Sequence, residues 1–279
     1  MHKEKIHVAH SPDSDDAFMF YALATDKIDT GPFNFVHQLR DIETLNQAAQ
    51  SSKYEVSAVS IHGYAYIAHQ YALLNSGASM GEGYGPKVVS RTPISPSQLK
   101  GKKIAVPGLR TSAFLALKLL EPDLECCVVP FDKIIEEVKS GTVEAGVIIH
   151  EGQLFYRDHD LLEVIDLGSW WQGKTGFPLP LGGNVIRKDL GKHKIEQISS
   201  MVLQSIRFSL DHREEALNYA LQFGRGLDPA QGDRFVGMYV NERTLDYRKS
   251  GRKAVQLFLD QGYESGLVPH RVKVEFIGA

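Results

Sequence analysis

A two-lobed α/β fold is what this sequence predicts, with a second α/β unit inserted into the first and a cleft between the lobes. Three observations predict it. Short β-rich runs alternate with helical patterns, which implies βαβ units and largely parallel sheets. The composition resets after a glycine-rich segment at 77–85, and a second alternating stretch begins. A Gly-, Pro- and Trp-containing stretch at 168–183 lacks periodicity and reads as the return crossing.

The elements follow in order. Residues 5–9 read as a strand, and 15–25 as a helix capped by Ser14 or Asp15. Residues 33–39 form a strand, 42–51 a helix and 56–60 a short buried strand. An aromatic helix over 63–69 leads to strands at 71–75 and 87–91. After a loop at 95–101 the pattern repeats, with strand 103–106, helix 111–120, strand 126–130, helix 131–140 and apolar strand 143–149. A strand at 161–167 precedes the return. Helices are expected at 195–209, 213–223, 229–240 and 249–265. The first lobe is therefore 1–90 plus 177–279, and the inserted lobe is 91–176.

Composition narrows the function classes. The chain has 279 residues, 43% hydrophobic and 23% charged, so it can bury a large core. A net charge of −3 gives no bulk attraction to nucleic acid or membrane. No run approaches the ~20 apolar residues of a membrane helix. Cys126 and Cys127 are adjacent and make no disulfide framework, which fits a reducing compartment. The charged start at residues 1–8 lacks a signal peptide's apolar core, so a cytoplasmic location is expected. The oligomeric state is not legible.

Ligands of open α/β sheets sit beyond the carboxyl ends of strands, where helix N-termini favour anions. Three strand-to-helix turns stand out. In the first, residues 11–17, Ser11 and Asp15 are candidates to face the cleft, while Asp13 and Asp16 are accounted for by a capped helix. The acidic cluster lacks the glycine and distal glutamate of a calcium loop, so no metal is expected. In the second, residues 108–113, Thr111 and Ser112 can cap a helix, meet an anion, or both. It is not a phosphate-binding P-loop, whose spacing is missing. The third is His150, at the end of an apolar strand. Its intrinsic pKa suits a general base, and a structural hydrogen-bonding role is the alternative. Glu151 follows it and can orient the imidazole. His62, Tyr64 and Tyr66 read as packing residues, and one of Trp170 and Trp171 is a candidate to cover the cleft.

The run Gly141-Thr142-Val143-Glu144-Ala145-Gly146-Val147-Ile148-Ile149-His150-Glu151 resembles the active-site histidine signature of the 1,4-dihydroxy-6-naphthoate synthases of the futalosine route to menaquinone. The similarity continues through Val164–Trp171, Thr175–Gly182, Tyr239–Asn241 and Thr244–Asp246. It also includes Ser11-Pro12, Asp16, Phe18, Phe20–Leu23 and Asp41–Asn46. The resemblance implies a periplasmic-binding-protein-like (type II) fold and a cytosolic enzyme without metal or organic cofactor. Its small-molecule substrate would be cyclic dehypoxanthine futalosine, cleaved with release of a furanose-derived fragment. It also implies His150 as proton acceptor, with substrate contacts at Ala58, Val59 and Ser60 in one lobe and at Ser112 and Ala113 in the other. The chain departs from the family pattern at Asp13, Ser14, Asp15 and Ala17, where the family has Cys, Pro, Asn and Thr, and at Ala58, where it has Lys. A related chorismate dehydratase, a family member with altered substrate and a small-anion solute-binding protein stand as alternatives.

Overall fold

The computed structural model describes residues 3–224 and 227–278. Two sheets organise it. The strands in chain order are β1 (Glu4–His10), β2 (Phe33–Leu39), β3 (Val56–Ser60), β4 (Tyr71–Leu74), β5 (Ser79–Gly81), β6 (Lys87–Ser90), β7 (Lys103–Val106), β8 (Glu125–Val128), β9 (Ala145–Ile148), β10 (Leu162–Asp166), β11 (Leu179–Arg187) and β12 (Phe276–Ile277). The first sheet runs β12-β4-β11-β3-β1-β2, with β5 paired to β11. The second runs β10-β6-β9-β7-β8.

The pairing explains the sequence patterns. β3 lies between β1, parallel to it, and β11, antiparallel. All five β3 residues, Val-Ser-Ala-Val-Ser, are buried, so the strand is made of small and β-branched side chains on both faces. The helix Ser14–Ala24 is buried along almost its whole length under the helices Lys192–Asp211 and Arg213–Ala220. That burial is why its sequence lacks an amphipathic stripe.

Several expectations are corrected. The chain leaves the first sheet earlier than residue 90: β6 pairs antiparallel with β9 and β10, so the first crossing lies between Gly81 and Lys87. The return stretch is not irregular. It holds the helix Leu167–Thr175 and the nine-residue strand β11. Asp166 caps that helix by accepting from the N–H groups of Gly168 and Ser169, and Gly176 ends it at φ 74°. Those end signals were present in the sequence, but Gly and Pro inside β11 masked the strand. Pro180 is accommodated at a register shift against β5, and a Cβ on Gly183 would lie 2.2 Å from the Tyr247 hydroxyl. Ser14 is the first helical residue rather than a cap. Asp13 occupies the cap position, and its side chain accepts from the Ser11 hydroxyl rather than from a helix N–H.

The two crossings touch backbone to backbone. A Cβ on Gly168 would lie 1.9 Å from the Tyr84 carbonyl oxygen, and one on Gly85 3.0 Å from Gly168 itself. Trp171 is fully buried against Phe258, and Trp170 is half-buried under Lys174; neither lines the cleft. No helix among the described residues is long and apolar enough to cross a membrane.

Candidate active site

Between the sheets lies a cleft with about 750 Å³ of empty space. Eight of the nine expected site residues line it: Ser11, Asp15, Ala58, Val59, Ser60, Thr111, Ser112 and Ala113. Met19, Ile149, Leu181 and Phe235 give it apolar walls. No Lys, Arg or His is among the described residues that line it.

Ser60 ends β3, and the amide of Asn46 fixes it from both sides. The Ser60 N–H donates to Asn46 Oδ1 at 2.8 Å, and Asn46 Nδ2 donates to Ser60 Oγ at 3.1 Å. Because Oγ is already an acceptor there, its own proton is left to donate into the cleft. Sequence reasoning placed Asn46 inside a resembling motif without assigning this role.

Across the cleft, Thr111 caps the helix Ser112–Leu120. Its hydroxyl accepts from the Phe114 N–H at 3.2 Å and donates to the Gly108 carbonyl at 2.9 Å. The N–H groups of Ser112 and Ala113 belong to the first turn, which makes no intrahelical bonds, and both residues face the cleft. The Ser112 hydroxyl is structural. It accepts from the His62 N–H at 3.2 Å and donates to the Leu181 carbonyl at 2.6 Å, tying the second lobe to β11. Thr111 thus serves as a cap, and Ser112 offers the cleft backbone rather than its side chain.

The acidic turn after β1 is internally wired. Asp16 Oδ2 accepts from the Ser11 N–H at 2.7 Å, and the Ser11 hydroxyl donates to Asp13 at 2.5 Å. Burial pushes the Asp16 carboxyl up to about 7 despite the Ser11 N–H. Burial, then the charges of Asp16, Asp13 and Glu151, hold Asp15 well above the usual carboxylate range. Asp15 lines the cleft wall from this turn.

His150 stands apart from the other eight. It is buried, and its neighbour Ile149 rather than its ring lines the cleft. Its Nδ1 accepts from the Gly152 N–H at 3.0 Å, and Nε2 lies 3.1 Å from the Phe131 carbonyl. An acceptor at Nδ1 and a carbonyl at Nε2 assign the proton of the neutral ring to Nε2. Phe131 meets the ring edge-on at 5.3 Å, and Glu151 Oε2 is 3.8 Å from Nδ1.

Contacts across the cleft hold the two sides together. Glu151 accepts from Ser14, Tyr239 donates to Gln153 at 2.9 Å, and the Arg110 N–H donates to Glu43 at 3.3 Å. Asn184 and Tyr239 also line the site. Asn184 directly follows the stretch read as irregular, and no local pattern signalled it. No group of three or more His, Cys, Asp or Glu side chains among the described residues is arranged to hold a metal ion.

This geometry agrees with what the chain is similar to. The family described as menaquinone biosynthesis matches residues 6–264. A protein of Thermus thermophilus named 1,4-dihydroxy-6-naphtoate synthase is 36% identical over 95% of this chain and 96% of its own length. A protein of the same name from Streptomyces coelicolor is 33% identical over 96% of each chain. The crystal structure of an Archaeoglobus fulgidus protein superposes with a TM-score of 0.92 at 45% identity, covering 96% of this chain and 100% of that one. The alkanesulfonate-binding protein SsuA of Xanthomonas axonopodis pv. citri, bound to MOPS, shares the fold alone, with a TM-score of 0.73 at 14% identity and full coverage of both chains. A binding-protein fold with a ligand cleft between its lobes, matched across nearly its whole length by these relatives, makes this chain a member of the menaquinone-biosynthesis family.

Proposed function

We propose that this protein is a cytoplasmic 1,4-dihydroxy-6-naphthoate synthase, converting cyclic dehypoxanthine futalosine to 1,4-dihydroxy-6-naphthoate by base-initiated carbon–carbon cleavage without a cofactor. The carrying observation is the facing pair of neutral anion-binding turns, Ser60 on one side and Ser112–Ala113 on the other, in a chain of this family. The substrate carboxylate is held there by the Ser60 hydroxyl and the helix N–H groups, which stabilise an anion in a cleft lined without cations.

His150 takes the proton. Its Nε2–H is anchored on the Phe131 carbonyl, which leaves the Nδ1 lone pair as the accepting site. The Gly152 N–H holds that lone pair in the described conformation, so proton transfer exchanges this contact for the substrate. The Glu151 carboxylate beside Nδ1 stabilises the resulting imidazolium. The two sheets act as lobes that close about the crossings at 82–86 and 167–178, and closure excludes water. The free thiols of Cys126 and Cys127 support a reducing compartment.

The test is to supply purified protein with cyclic dehypoxanthine futalosine and follow 1,4-dihydroxy-6-naphthoate by chromatography and mass spectrometry. Stoichiometric product is expected. Consumption of chorismate instead would make the protein a dehydratase, and binding without turnover would make it a solute-binding protein.

A further inference from the structure

Asn184 is 1% exposed, and neither its amide oxygen nor its amide nitrogen has a hydrogen-bond partner among the described residues. Burying an amide without partners is unfavourable. Other buried groups in that condition, such as the hydroxyls of Ser76 and Tyr247, are not among the residues that line the cleft, whereas Asn184 is. Its position follows from register. On β11 it pairs with Ala58 of β3, two residues deeper than the Gly182–Ser60 pair. With the small Ala58 opposite, nothing from β3 reaches across to the amide. On its other side the chain is a glycine: a Cβ on Gly77 would lie 2.1 Å from Asn184 Nδ2, and Gly77 sits at φ 86°. The packing therefore makes room for a polar amide at the floor of the cleft and leaves both its functions unanswered.

We propose that Asn184 binds a hydroxyl of the furanose-derived part of the substrate, which orients that part at the floor while the carboxylate lies at Ser60 and Ser112. An amide offers a donor and an acceptor side by side, and a hydroxyl matches both. The carboxylate is already accommodated at Ser60 and Ser112–Ala113, so the amide is left for a neutral group of the substrate. The inference rests on the proposed reaction and adds which end of the substrate the floor of the cleft reads.

The experiment compares wild type with Asn184→Leu, a near-isosteric apolar replacement. Affinity is measured calorimetrically for cyclic dehypoxanthine futalosine and for 1,4-dihydroxy-6-naphthoate, which lacks the furanose-derived part. The variant is expected to bind the substrate ~10-fold more weakly, to bind the product within twofold of wild type, and to melt at the same or a higher temperature, since an unpaired amide has been removed. A purely structural asparagine would instead lower the melting temperature and weaken both ligands together. That result, or unchanged substrate affinity, overturns the inference while leaving wild-type turnover, and so the proposed function, intact. If Asn184→Leu does not fold, Asn184→Ala gives the same comparison without added bulk. A wild type that neither binds nor converts the substrate overturns the proposed function and this inference with it.

Discussion

The carboxylate of Glu151 accepts from both the backbone N–H and the hydroxyl of Ser14, at 3.4 and 3.2 Å, across 137 residues of chain. Ser14 opens the first helix of one lobe, and Glu151 follows the histidine of the other, so this contact couples lobe closure to the position of His150. Hydrogen bonds to a charged group contribute ~1.5–3 kcal/mol. Glu151→Ala is expected to lower kcat ~10–100-fold, and Ser14→Ala only a few-fold, because the Ser14 N–H remains. Steady-state kinetics on both variants checks this ordering. Equal losses would show that the contact is not shared in this way.

His150→Ala is expected to reduce kcat by ~10²–10⁴-fold, the usual contribution of a general base. Substrate affinity should change little, since a single hydrogen bond contributes only ~0.5–1.5 kcal/mol to binding. The measurements are kcat and substrate Kd, with a melting profile to establish that the fold is retained. A kcat within a few-fold of wild type would make His150 a purely structural hydrogen bonder between Phe131 and Gly152.

Stability should carry a signature of Asp16. Its folded pKa of about 7 lies above the ordinary 3.8, so between those values the folded chain keeps a proton that the unfolded chain has released. Its contribution to stability therefore falls as pH rises from about 4 to about 7, then stays level. His10 and His37, pushed down by burial to about 3 and 4, work in the opposite direction below pH 6.5. The difference between variant and wild type isolates the acidic turn, in which the Asp16 charge acts on Asp15. Asp16→Asn retains an oxygen for the Ser11 N–H and should melt ~2–4 °C higher than wild type at pH 8, with the gap closing toward pH 4. A pH-independent gap would count against a buried, proton-retaining Asp16.

Gly168 sits where the two crossings meet. Gly168→Ala drives a methyl into the Tyr84 carbonyl, a backbone atom that cannot swing aside. It should destabilise by ~1–3 kcal/mol in chemical denaturation. Gly173→Ala in the same helix meets nothing within 4 Å and should be neutral or stabilising by up to ~1 kcal/mol. Equal effects at both positions would remove the special status of the crossing.

By itself the sequence determined the alternation of strands and helices, the inserted α/β unit, and the turns that hold Ser11, Asp15, Thr111 and Ser112. Each of these is a local signal: a period, a cap or a turn residue is written in a few neighbouring positions. Ser60 entered through the family resemblance. Only the tertiary structure decided that Lys87–Ser90 joins the second sheet, because strand partnership depends on residues far away in the chain. It also decided that Gly182 and Gly183 belong to a central strand, since their fit depends on the close approach of Tyr247 and Val59 from other elements. The same holds for the small set of side chains that complete the cleft. Asn46 earns its role from Ser60, Glu151 from Ser14 and Asn184 from Ala58, and none of these pairs is visible until folding brings distant segments within hydrogen-bonding or cross-strand distance.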